Sequence, residues 1–303
     1  MLTNEQLVAD YAHPDAIMVP HYCCDITPLL ENIAGCIASR CGVILLSQEP
    51  SFSQAFIQTQ QHPQHFTIIT ANLDTPWIRD RSPIAIQGES AIRWCNPAVE
   101  DMDRPLDDKL FGKITKNRLT PSPLNYLAQG NLVGAWDGLA FSTSAMLTKN
   151  QLSRPQLDAY KMPLGINHWI IFSGFANEIT AYADVHIRIL KPNLIAVAWN
   201  LSVKADQASM QRLINKIEKR LPQTKIIKIP IRSRGKHYAS LVNWIQIGEH
   251  LLIPRFNLTQ QQDIVQTKRL LVQQGFSCEF IYSPTLDMAG SLHCLTASIF
   301  TSK

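Results

Sequence analysis

A unit of hairpin, helix and strand recurs along this chain, and nothing else in the sequence narrows the fold as much. Residues 241–247 and 251–253 read as the two strands of a hairpin. Residues 259–274 carry helical periodicity up to Gly275, and residues 278–282 read as the next strand. One unit earlier, residues 195–199 form a strand and Ser202 stands where a helix N-cap belongs. Met210, Leu213, Ile214, Ile217 and Leu221 then share one helical face before Pro222 and a strand at 226–231. Towards the N-terminus the order is helix 26–40, strand 43–46, helix 51–60 and strand 66–70. A repeat of roughly 50 residues suits a propeller of α/β units. The pattern alone suits an ordinary open α/β sheet as well.

The remaining bulk features exclude more than they assign. With 303 residues the chain can bury a large core, and no linker divides it, so we expect a single domain over 1–303. Lys and Arg number 28 against 24 Asp and Glu, a net charge of +4. That excess is too small to argue for a nucleic-acid or membrane partner. No apolar run approaches the ~18 residues of a membrane helix. Met1-Leu2-Thr3-Asn4-Glu5 lacks the basic and apolar regions of a signal peptide, so the expected compartment is the cytoplasm, with reduced thiols. The seven cysteines include no C-x-x-C pair. No metal-ligand spacing and no Gly-rich phosphate cradle is visible, so neither a metal nor another cofactor is expected. Six of the cysteines read as small buried hydrophobes; Cys294 stands in a context that argues otherwise.

Four segments carry chemistry. Residues 72–83 pack Asp74, Trp77, Arg79, Asp80 and Arg81 between strands. This is either a polar turn with an internal ion pair or a carboxylate beside an aromatic wall, which suits a flat cation. In residues 182–188, strand alternation puts Tyr182, Asp184, His186 and Arg188 on one face, as in a lined cavity or a half-exposed strand. Residues 288–296 place His293 and Cys294 behind small residues, a setting for a nucleophile. Gln129-Gly130-Asn131 with Trp136-Asp137-Gly138 reads as a turn followed by a hairpin with an Asp-Gly turn.

Taken together and in order, these segments resemble the motifs of the agmatine deiminase and bacterial-type peptidylarginine deiminase family. Asp74 to Pro83 is similar to its D-T-x-W-x-R-D-x-x-P string, and Gln129 to Gly138 to its G-G-N and D-G element. Its H-x-D falls on Tyr182 to Asp184, and its S-Y-x-N-F resembles Ser240-Leu241-Val242-Asn243-Trp244. Its terminal G-G-G-x-x-H-C-x-T resembles Met288 to Thr296, and its W-P-H entry resembles Val19-Pro20-His21. The resemblance implies an α/β pentein propeller, five ββαβ-type units around a pseudo-fivefold axis. It implies hydrolysis of a guanidine C–N bond through a thiouronium adduct on Cys294, with Asp80 and Asp184 clamping the guanidinium. Trp77, Asp74, Tyr182, Asn131 and His293 are then expected around a small guanidino substrate. Assembly into a homo-oligomer is compatible with the resemblance.

Two positions depart from the family together. Its catalytic histidine falls on Tyr182, and the glutamate that supports that histidine falls on Ala128. If the histidine goes, its carboxylate becomes an unpaired buried charge and should go as well. A phenol, with a pKa near ~10 against ~6.5 for imidazole, is a poor proton shuttle near neutral pH. His186, two residues beyond Asp184 on the same strand face, is the candidate replacement. Two of the three terminal glycines are also replaced, by Met288 and Ala289. The leading expectation is a guanidine- or amidine-modifying enzyme acting on a non-standard substrate. The rivals are an impaired pentein that binds a cationic ligand, and an amidino-group transferase. The basic stretch at 232–237 reads as a solvated loop or as a seat for a substrate carboxylate.

Overall fold

Each sheet begins with an antiparallel pair whose second strand passes through a helix to a parallel neighbour. The computed structural model describes residues 5–99, 104–114 and 119–301. Within them this pattern occurs five times. Ile84–Gln87 and Ile92–Cys95 pair antiparallel, and Leu119–Thr120 lies parallel beyond helix Pro105–Ile114. Val133–Gly134, Leu139–Thr143 and His168–Phe172 form the second sheet. Ile187–Lys191, Leu194–Asn200 and Lys225–Arg234 follow, with helix Lys204–Arg220 as crossover. Ile245–Ile247, His250–Arg255 and Ser277–Tyr282 repeat the arrangement around helix Gln261–Val272. The fifth sheet joins both ends of the chain. Ala297–Ile299 pairs antiparallel with Ala16–His21, which continues through helix Thr27–Ala38 to Gly42–Ser47 and then Phe66–Thr70. This is the five-unit pentein propeller and not an open sheet.

The central strands are apolar on both faces, as strands covered by sheet and helix must be. Ile195, Ala196, Val197 and Ala198 are fully buried. The crossover helix presents Met210, Leu213, Ile214 and Ile217 to the same core. Helices and strands fall close to their expected places, and four local readings change. The crossover helix is capped at Val203 rather than Ser202, with no side-chain cap bond. Residues 241–243 form a turn, so the hairpin starts at Ile245. The basic stretch is a hairpin, Lys225–Arg234 against His237–Ala239, turning at Gly235 with φ +61°. Of the six other cysteines only Cys95 is buried. Among the described residues no helix is long and apolar enough to cross a membrane.

Candidate active site

The segment at 182–188 decides the geometry. Alternation predicts a strand over its whole length, but Ala183–Val185 is a 3₁₀ turn and the strand begins at Ile187. A turn with about three residues per repeat sends residues 184 and 186 in different directions. Asp184 points to Cys294, while His186 points into the core. The His186 Nδ1–H donates to the Tyr182 carbonyl at 2.7 Å, and its Nε2 accepts the Phe175 N–H at 2.8 Å. Its ring packs against Phe172 and Phe175. Burial holds its pKa below the usual histidine value. With both nitrogens engaged, His186 does not face the thiol, and the expected replacement for the missing histidine fails on geometry.

Asp184 is fully buried. Its Oδ2 lies 2.7 Å from His293 Nδ1 and 3.8 Å from Cys294 Sγ. Its Oδ1 has no hydrogen-bond donor among the described residues. Burial pushes this carboxyl up to about 7, against the pull of Arg188 and Arg79. The turn at 240–243 holds the group in place. Ser240 Oγ donates to the Val185 carbonyl at 2.6 Å, and Asn243 Nδ2 to the Asp184 carbonyl at 3.4 Å. Asn243 Oδ1 lies 3.5 Å from Sγ. Asn243 lies in the motif at 240–244, whose resemblance implies no role for it.

The motif at 72–83 serves the site through its backbone and its arginines. Ile78–Arg81 is a buried 3₁₀ turn. Arg79 N–H donates to the Cys294 carbonyl at 3.2 Å, and its Nε–H to the His293 carbonyl at 3.1 Å. That guanidinium thereby fixes the backbone at Cys294, and burial lowers its own pKa to about 10. Asp80 Oδ2 accepts from Arg104 Nη1 at 3.4 Å, and Arg104 Nε donates to Asp107 at 2.6 Å. Burial raises the Asp80 carboxyl to about 6, with Arg104 the strongest opposing influence. The Cys294 thiol is pushed well up by burial first and then by the charges of Asp184 and Asp80. Of the two carboxylates Asp184 contacts the sulfur, while Asp80 acts on it through its charge alone, and a bound cation would offset both.

The other expected residues divide. Trp77 packs on the loop beside the thiol, so closely that a Cβ on Gly290 would lie 2.3 Å from its ring. It braces that loop from behind. The cavity over Cys294 is lined by Asn243, Tyr238, Ser291 and Gly290, and its volume of about 20 Å³ has room for one or two waters. Asp74 is exposed and caps the helix at Pro105–Ile114. Its Oδ2 accepts from Leu106 N–H at 2.9 Å, and its own N–H donates to Asp107 Oδ1 at 3.0 Å. It is a cap and not a substrate ligand. Asn131 is buried with Oδ1 accepting from the N–H and the hydroxyl of Thr143, so it fastens a turn.

Tyr182 packs with Val99, Tyr126 and Ala128. Its ring covers Gly130, where a Cβ would lie 2.9 Å away. Burial drives its phenol pKa upward, with Asp80, Tyr126 and Cys294 adding to the shift. The two positions that depart from the family motif thus fall in one apolar cluster.

Behind Asp184, away from the thiol cavity, lies a second polar group. Arg188 Nε donates to Asp10 Oδ2 at 2.6 Å and its Nη1 to the Trp244 carbonyl at 2.8 Å. Asp10 Oδ1 is 4.0 Å from His293 Nε2. Asp10 belongs to no motif and carried no signal in the sequence. Arg188 was visible only through its place beside Asp184.

This chain's fold is shared with solved structures of low sequence identity. An agmatine deiminase of C. jejuni superposes with a TM-score of 0.83 at 18% identity, covering 98% of this chain and 97% of that one. The agmatine deiminase of Enterococcus faecalis gives 0.78 at 13%, over 98% and 96%. DDAH from Pseudomonas aeruginosa is more distant, at 0.52 and 10%, over 95% and 100%. A comparison with curated proteins gives no match. The sequence model described as Porphyromonas-type peptidyl-arginine deiminase matches residues 3–299, which takes in every segment that builds the site. On that match the chain belongs to the Porphyromonas-type peptidyl-arginine deiminase family.

Proposed function

We propose that this protein is a Cys294-dependent cytoplasmic enzyme that hydrolyses a C–N bond of a guanidine or amidine. Its preferred substrate would be something other than agmatine or free arginine. One observation carries the reading. A buried thiol lies 3.8 Å from a buried carboxylate whose other oxygen has no donor among the described residues. A guanidinium or amidinium N–H supplies that donor, and its positive charge offsets the two carboxylates that hold the thiol protonated. Asp184 and Asp80 clamp the cation, Asn243 orients the sulfur, and Arg79 holds the nucleophile's backbone. Thiol, carboxylates and water supply every bond that changes, so the reading needs no cofactor. Tyr182 and Ala128 are the reason to expect slow turnover of simple guanidines.

The apolar packing of Tyr182 and Ala128 favours a second reading, a pentein that binds a cation without turning it over. Labelling tests both. Cys294 should react with 2-chloroacetamidine well ahead of the other six cysteines. Asp80→Asn should slow that reaction about tenfold or more, the effect of at least ~1.4 kcal/mol of lost charge interaction. The same change should affect the neutral iodoacetamide far less. Equal slowing of both reagents would remove the cation site. Reversible acetamidine binding without any adduct on Cys294 would favour the second reading.

A further inference from the structure

The proposed chemistry needs a group that moves protons, and the described residues near the sulfur offer few. Tyr182 holds its proton more tightly than a free phenol. His186 has both nitrogens engaged in the core. Glu178, at the cavity rim, uses both oxygens to hold the Thr180 and Ala181 N–H groups and the Thr180 hydroxyl. Asp80 Oδ2 is held by Arg104. Among the described residues the polar neighbours of Sγ are Asn243, Asp184 and the Ser291 backbone, and of these Asp184 is the one that can take a proton.

Asp184 is not alone. His293 stands directly behind it, Nδ1 to Oδ2 at 2.7 Å, and turns Nε2 toward Asp10. On that side lies a cavity of about 60 Å³ lined by Asp10, Arg79, Arg188, Gln129 and His293 among others, large enough for several waters. The imidazole therefore spans the wall between the thiol side and this second cavity.

We propose, building on the reading of Cys294 as nucleophile, that Asp184 and His293 together move the protons, in exchange with water in the cavity beside Asp10 and Arg188. As the S–C bond forms, the thiol proton passes to Asp184. From there it goes to the leaving nitrogen, which departs as ammonia when its C–N bond breaks. In the second half a water attacks the thiouronium carbon and gives one proton to the pair. The C–S bond then breaks, its electron pair returns to sulfur, and a proton follows. The net result is guanidinium plus water to a ureido product plus ammonium. Asp184 touches the reacting atoms. His293 acts through it, fixing which oxygen faces the sulfur and sharing the proton between Nδ1 and Oδ2. The groups facing His293 are Asp184, Asp10, Arg188, Arg79 and Cys294. Burial, with Arg188 and Arg79, keeps its ring neutral near pH 7.

His293→Asn tests this. Its amide N–H can still donate to Asp184, but the side chain cannot take up a proton. The rate of Cys294 labelling by 2-chloroacetamidine is measured from pH 5.5 to 9.5, beside iodoacetamide. We expect a loss of about tenfold at pH 7 that recovers towards pH 9, where hydroxide replaces the missing acceptor. Asp10→Asn should give the same change of profile at about two- to fivefold, and it decides the matter if His293→Asn does not fold. A folded variant whose pH profile matches wild type overturns the proposal. Should wild type show no preference for the cationic reagent, the reading of the site itself fails. Should that preference persist with an unchanged profile, only the proton route fails.

Discussion

The two flanks of Cys294 are built from opposite chemistry. On one, buried Asp184, His293 and Arg188 and half-buried Asp10 form a chain in which each polar contact leads to the next. On the other, Tyr182 packs with Val99, Tyr126 and Ala128 where the family motif has a histidine and a glutamate. Both flanks lie against the site, yet one is built of charged groups and the other of two tyrosines among apolar side chains. The difference follows from the cost of a half-dismantled ion pair. Removing one partner of a buried pair leaves an uncompensated charge worth about 3–5 kcal/mol, whereas replacing both with packed apolar groups can be neutral. On the Tyr182 side both motif positions differ together, and on the ionic side Arg188 and Asp10 are paired while Asp184 keeps one oxygen without a donor among the described residues.

Rebuilding the lost pair should break this contrast and give the largest effect. Tyr182→His with Ala128→Glu places both groups in one cluster, so the carboxylate can orient the ring. We expect steady-state ammonia release from agmatine to rise by about 10²–10⁴-fold, the usual worth of general acid–base help. Either single change should give little. Ala128→Glu alone should cost several kcal/mol of stability, since it buries a charge without a partner. Ammonia release beside intact mass for wild type and the three variants is the measurement. Rapid turnover of agmatine or arginine by wild type would show that the apolar flank disables nothing.

The sequence made the propeller legible and singled out Cys294, but not the direction in which each polar side chain points. The repeat survived because hydrophobic periodicity reports the sheet and the helix faces directly. The alternation at 182–188 misled because a 3₁₀ turn and a strand can carry the same polar–apolar string. Choosing between them required knowing that Ser240 and Asn243 would hold the Val185 and Asp184 carbonyls. His186 looked catalytic and is a core histidine. His293 was expected around the substrate and instead stands between Asp184 and Asp10, at the centre of the ionic flank. Asp10 could not be found at all, since a lone carboxylate near the N-terminus has no local pattern.

The ionic flank should reveal itself in stability as a function of pH. The Asp184 carboxyl is raised from an unfolded value near 3.8 to about 7 in the folded protein. Its neutral form therefore contributes stability that is complete below the unfolded value and lost as pH rises through the folded one. Asp184→Asn keeps the group neutral throughout. Relative to wild type it should gain about 2–3 kcal/mol more at pH 8 than at pH 5. Paired denaturant titrations at the two pH values measure this. A difference independent of pH would mean that the arginines fully offset the buried charge. In the same window wild-type labelling by 2-chloroacetamidine should rise with pH, because Asp184 must ionise to hold a cation.

The smallest effect concerns the loop between the flanks. The family motif has three glycines where this chain has Met288, Ala289 and Gly290. Gly290 is constrained by the Trp77 ring, and a methyl group there has no room. Ala289 sits at φ +56°, the left-handed region that a side chain disfavours by roughly 1 kcal/mol. The strain is retained in a loop that lines the thiol cavity. Ala289→Gly relieves it, although glycine also loses more freedom on folding, so the net gain should be about 0.5–1 kcal/mol. Removing the methyl group also widens the approach to the sulfur. Iodoacetamide, which needs no cation site, should then react with Cys294 about two- to threefold faster. A gain in stability without faster labelling would place the strain in the loop alone. Loss of stability would show that the left-handed turn is favoured by contacts of the Ala289 methyl group itself.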